Sequence, residues 1–204
     1  MNTKLFGEFN SEFKRQMFSV LSNQLAGLFK SQSCEDFTLI GNYKVGAFEF
    51  DAILLTNTDV FLVEFKMNEV GPICVNDTGW ITSDGVITNN LWEQIREKRN
   101  ILYGLFRKRG FQKMFIKTII IFEKPFELIR GNTAFQFENH KWFLTCDMNG
   151  IIRLLRNNAS FYAPFNFLKS GLSVLLPKKC VKEAPTNLAN HIWILFKMWW
   201  NKIA

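Results

Sequence analysis

The chain has 204 residues, 48% of them hydrophobic with 22 Phe and six Trp, a net charge of +7 and a pI near 9.3. That suffices for one sizeable core, so a single domain over 1–204 is expected, and the positive balance favours an anionic partner, nucleic acid or an anionic membrane surface. No run reaches the about 18 apolar residues of a spanning helix, and Cys34, Cys74, Cys146 and Cys180 show neither CxxC nor Cys/His spacing, which argues against stable membrane insertion, a zinc module or a disulfide scaffold.

The N-terminus has no continuous apolar run after its first positive charge, as a secretory leader would, and the expected setting is the cytoplasm, with the cysteines reduced. Phe9, Phe13, Met17, Val20, Leu21, Leu25 and Leu28 then recur at helical spacing and predict a helix over 8–30. Glu8 and Glu12, four apart, share one of its faces. Residues 37–44 read as a strand.

The stretch FEFDAILLTNTDVFLVEFK, residues 48–66, reads as a hairpin. Thr56 to Asp59 supply turn chemistry between two runs rich in Phe, Val, Ile and Leu. With the turn centred between Asn57 and Thr58, Asp51 falls opposite Glu64 and Glu49 opposite Lys66, and strand alternation sends all four to one face. Directly opposed residues have Cβ atoms roughly 4.5–5.5 Å apart, and like charges so placed destabilise the pair. A divalent cation such as Mg²⁺ would compensate, since hard cations take carboxylate oxygens. Three other readings stay open at this stage: a Glu49 to Lys66 ion pair at the sheet end, Asp51 at a bulge, and a register shifted by one residue.

Residues 69–75 and 79–81 are short extended pieces broken at Gly71-Pro72 and at 76–79, with Trp80 read as packing. A helix is predicted over 89–110, started by Asn and stopped by Gly110. It carries Gln94 near its beginning, then Arg96, Lys98, Arg99 and the basic trio 107–109. Such a run either tracks phosphates or forms a solvated face, and the trio also complements the helix dipole. Strands are expected at 115–124 and 141–146 and helices at 148–157 and 186–203. The last has Leu188, Ile192, Leu195, Phe196, Trp199 and Ile203 on one side, which suits core, a homodimer seam or an interfacial helix. His140 and His191 are too few and too separated for a His-based site. The order of elements implies an α/β or α+β core, a mixed sheet flanked by helices.

Asp51, then Glu64-Phe65-Lys66 thirteen residues on, then Gly71, Trp80, Asn90 and Gln94 follow one another in an order that resembles the nuclease-related domain, NERD, of the PD-(D/E)XK nuclease superfamily, over about residues 5–110. Gly7-Glu8 matches the context of the family's first-helix acid, with Glu12 one turn later as the alternative. Leu91 stands where the family tends to have proline. The resemblance implies a restriction-endonuclease-like core and Mg²⁺-dependent or Mn²⁺-dependent hydrolysis of DNA. Asp51, Glu64 and the Phe65 carbonyl would hold the metal, and Lys66 would position water or stabilise developing charge. Glu8 or Glu12 would orient a second metal or a metal-bound water, and Gln94 would hold the site or contact the DNA backbone. Arg96, Lys98 and Arg99 would contact phosphates, and a helicase or other partner protein is a conceivable source of substrate. The competing expectations are a binding module that keeps the fold without cutting, and a membrane-surface or oligomeric protein built on the C-terminal helix.

Overall fold

The structure, a computed structural model, describes residues 3–6, 9–31, 37–56, 59–77, 79–82, 85–89, 91–108, 110–111, 115–131, 141–158 and 175. In chain order come β1 (Thr3–Phe6), α1 (Glu12–Ser31), β2 (Phe37–Val45), β3 (Phe48–Thr56) and β4 (Val60–Lys66). Then follow β5 (Gly71–Val75), β6 (Gly79–Thr82), β7 (Gly85–Asn89) and α2 (Leu91–Lys108), and last β8 (Ile116–Phe122), β9 (Phe126–Arg130), β10 (Phe143–Asp147) and α3 (Ile151–Asn158).

Six strands form the main sheet in the order β1-β2-β3-β4-β8-β10. β3 runs antiparallel to both β2 and β4, whereas β1 is parallel to β2, and β4, β8 and β10 are mutually parallel. Strands buried on both faces read as continuous apolar runs, and β8, IKTIIIF, is buried along its whole length. A smaller sheet, β7-β6-β5-β9, lies apart from it in pairing.

Two layers cover the main sheet. Met17, Phe18, Leu21, Leu25 and Leu28 of α1, with Ile151 and Leu155 of α3, pack on Leu39, Leu54, Phe61, Val63, Ile119 and Ile121. Leu91, Ile95, Leu102 and Phe106 of α2 join Ile73, Val75 and Trp80 of the small sheet on Ile40, Ile53, Leu55, Leu62 and Ile120. Trp80 is fully buried, stacked on Phe122 and edge-on to Phe143, each at 6.1 Å. The result is the mixed sheet flanked by helices that the sequence implied.

Some details differ from the pattern of the sequence. α1 begins at Glu12, and Val20 is 44% exposed while Phe18 is buried. The buried stripe 17, 18, 21, 25, 28 is centred about one hundred degrees of helix away from Val20, and this rotation also puts Lys14 on the sheet-facing side. β1, β7 and β9 were not expected: they are short, β1 pairing at the edge of the main sheet and β7 and β9 within the small one. The helix anticipated at 186–203, with its dimer or membrane roles, lies outside the described residues, as do Glu8, Cys34, Cys180, His140 and His191. Among the described residues, Cys74 and Cys146 are free thiols, and no helix is long and apolar enough to cross a membrane.

Candidate active site

The hairpin forms in the register its turn predicts: Leu55 pairs with Val60, Leu54 with Phe61, Ile53 with Leu62 and Ala52 with Val63. There the ladder stops. One step further the register would bring Asp51 against Glu64, but the Asp51 carboxylate turns into the space between the strands and its Oδ2 accepts the Phe65 N–H at 2.9 Å. A side chain thus replaces the backbone partner at the point where β3 and β4 part. A strand residue presents its N–H and C=O to the same neighbour, so the Phe65 carbonyl faces this gap as well.

The cause of the parting lies on the other flank of β3. Asn42 of β2, which like Asp51 is left out of the pairing between Gly41–Ala52 and Tyr43–Phe50, has φ of 46°, a left-handed conformation that Asn tolerates better than most residues. Across this position the alternation slips on both strands: Ile40 and Tyr43 belong to the α2-side cluster, as do Ile53 and Phe50. Such an irregularity re-aims one side chain, here Asp51. Next to it, Gly41 lets the rings of Phe18 and Phe9 approach so closely that a Cβ would meet them at 2.6 and 2.7 Å. The N-terminal half of α1 is therefore seated low on the sheet, and Lys14 reaches the site.

Asp51 and Glu64 are 1% and 3% exposed. Lys14 Nζ lies 2.6 Å from Asp51 Oδ1, and Lys98 Nζ 2.6 Å from Glu64 Oε1. The expectation that Glu49, Asp51, Glu64 and Lys66 project together from one face is corrected here: Asp51 takes its lysine from the α1 layer and Glu64 from the α2 layer. Nor does Glu49 pair with Lys66; it lies 3.5 Å from Lys14 and 3.6 Å from Lys44 and accepts a hydrogen bond from Asn10 at 3.3 Å. The slip at Asn42 and Asp51 is the reason, since it changes the facing of every residue before Ala52.

The acids nonetheless share one electrostatic field. Burial pushes the Glu64 carboxyl up to about 7, the Asp51 charge adds to this, and Lys98 and Lys66 oppose it. Burial lowers the Lys66 ammonium below its ordinary value against the pull of Glu64 and Asp51, with Lys98 and Lys14 contributing in the same direction as burial. For Lys14, burial works against the charge, but Asp51, Glu49 and Glu64 outweigh it and its pKa is raised. Two acids and three lysines thus gather at the end of one hairpin.

The remaining expected residues lie around this cluster. Glu12 is exposed and turned to Arg15 and Gln16 of its own helix. Gln94 is exposed in the first turn of α2, one turn before Lys98. Arg96 is half exposed and paired with Glu93. Arg99 is held differently: its Nε donates to the Ile116 carbonyl at 2.7 Å, Nη2 donates to the Tyr103 hydroxyl at 3.0 Å, and the guanidinium lies 4.1 Å from the Trp142 ring centre. Sequence reasoning missed Lys14 altogether and did not foresee that Lys98 meets Glu64. The signal was present: each lysine interrupts the apolar stripe of an amphipathic helix, Lys14 three before Met17 and Lys98 three after Ile95.

Among the described residues no three His, Cys, Asp or Glu side chains come together. Two buried carboxylates and a backbone carbonyl nevertheless suit Mg²⁺, which keeps several waters and is commonly held by one or two carboxylates. The buried thiol of Cys146, pushed up to about 12 by burial and then by Asp147, is not a nucleophile.

No curated protein and no solved structure matches the chain. The family model described as the nuclease-related domain matches residues 12–123, a span that contains Glu12, Asp51, Glu64, Lys66 and Gln94 and excludes Glu8. With more than half its length matched, the chain belongs to the nuclease-related domain family.

Proposed function

We propose that this protein is a metal-dependent nuclease that hydrolyses phosphodiester bonds of DNA. The observation that carries the reading is the meeting of Asp51, Glu64 and Lys66 where β3 and β4 separate, with both acids buried and the Asp51 charge felt at Glu64 and at Lys66. Asp51, Glu64 and the Phe65 carbonyl would hold Mg²⁺ or Mn²⁺. The ion would supply a more acidic water and polarisation of the phosphoryl oxygens. Lys66, on the same strand face as Glu64, would orient the attacking water or stabilise the negative charge that develops on the phosphate. Glu12 and Gln94 stand at the first turns of α1 and α2, where they would border the substrate. The net charge of +7 favours approach of a polyanion.

A binding module that keeps the fold without cutting is the second reading, favoured by the two lysines that already neutralise the acids. Labelled double-stranded and single-stranded DNA incubated with purified protein separates the two. Cleavage is expected with Mg²⁺ or Mn²⁺ and not with EDTA, and Asp51→Ala and Lys66→Ala should abolish it with circular dichroism unchanged. Equal cutting by wild type and both variants would remove the assignment.

A further inference from the structure

Lys14 and Lys98 occupy positions where helical periodicity calls for apolar residues. Lys14 lies on the stripe of α1 that buries Met17, Phe18 and Leu21, and Lys98 lies between Ile95 and Leu102 on the buried stripe of α2. A half-buried ammonium needs a partner, and each finds one of the two site acids at 2.6 Å. The two helices lie on opposite faces of the sheet, so the acids are clamped from both sides.

We propose that Lys14 and Lys98 are resident counter-ions of the metal site: each fixes one ligand carboxylate and competes with the divalent cation for it, so that together they set metal affinity. The inference rests on the reading of Asp51 and Glu64 as metal ligands. Both lysines are positioning residues, acting through the carboxylates. Their removal has opposite effects on two measurable quantities. Without metal, a buried carboxylate loses its partner and the fold weakens. With metal, one repelling charge is gone and the ion binds more tightly. An ion pair with a merely structural role would weaken the fold and leave metal affinity unchanged.

The test is Mn²⁺ titration of the full chain, stripped with EDTA, followed by electron paramagnetic resonance and by melting temperature. Lys14→Gln and Lys98→Gln, which keep a hydrogen-bond donor, are expected to bind Mn²⁺ roughly tenfold more tightly than wild type, to melt lower without metal and to gain more on its addition. If Lys98→Gln does not fold, Lys14→Gln carries the test, because Lys14 is 30% exposed, together with Lys98→Arg, which keeps the charge and should stay within about twofold of wild type. Gln variants that bind no more tightly than wild type, while Asp51→Ala loses binding, would overturn the counter-ion role and leave the metal site standing. Wild-type binding by Asp51→Ala would overturn the metal site and the inference with it.

Discussion

The hairpin of β3 and β4 carries buried charge at both of its ends, and the two ends are built differently. At the turn, Asp59 Oδ1 meets Lys117 Nζ at 2.8 Å, both residues are buried, and the Asp59 N–H donates to Thr56 Oγ1 while its carbonyl accepts the Thr56 N–H. One acid, one cation and a closed set of turn bonds give the strands their start and register. At the open end, Asp51 and Glu64 each meet a lysine from a different layer, Lys14 and Lys98, and the Asp51 charge adds to the burial that raises Glu64. Burial of charge is common to both ends and marks neither as functional. What separates the two ends is the gathering of charge: a single acid–lysine pair at the turn, two acids with three lysines at the open end.

Substitutions at the two ends should therefore part company. Asp51→Ala is expected to lower Mg²⁺-dependent cleavage by about a thousandfold or more. Asp59→Ala should leave cleavage per folded molecule nearly unchanged but cost about 3–5 kcal/mol in urea denaturation, the scale for stranding a buried lysine. A folded Asp59→Ala protein without activity would erase the contrast.

The open end should also carry the stronger pH dependence. Glu64 keeps its proton up to about 7 in the fold, against an ordinary value of 4.5. Between those values the folded chain binds more protons than the unfolded one, so its stability falls as pH rises through this window and is greatest below it. The full effect is about 3 kcal/mol as an upper scale. Urea midpoints of EDTA-treated protein measured from pH 5 to 8 should fall, and Glu64→Gln should flatten the curve. A wild-type curve as flat as that of Glu64→Gln would remove the tension assigned to this end.

How much of this was legible depended on how local each feature is. Turn residues at 56–59 fix a hairpin register through near neighbours, and the pairs from Ala52–Val63 to Leu55–Val60 follow from them. The facing of Asp51 does not, because it is decided by Asn42 on another strand and by two Phe rings lying on Gly41. Helical stripes in α1 and α2 were readable, yet Lys14 went unread and Lys98 was placed with the basic run, as a phosphate contact or a solvated face. Only the tertiary fold shows that Lys14 and Lys98 converge on one hairpin from opposite layers. β7 and β9, five residues each, are defined by their pairing partners more than by their own pattern.

The smallest effects concern the basic residues of α2, and they test whether charge next to the site serves the fold or the substrate. Arg96 is exposed apart from its pairing with Glu93, a contact one turn long that salt weakens. If DNA runs along this face, Arg96→Ala should weaken binding across sequences and reduce the slope of log affinity against log salt by about one. Arg99 has its Nε and Nη2 bonded within the protein and its plane against Trp142 and Tyr103. Arg99→Ala should instead cost about 1–3 kcal/mol of stability, through the lost hydrogen bonds and cation–π contact, with an unchanged salt slope. A drop in that slope for Arg99→Ala, measured by fluorescence anisotropy with a short duplex, would mean that the guanidinium leaves Trp142 for phosphate when DNA binds.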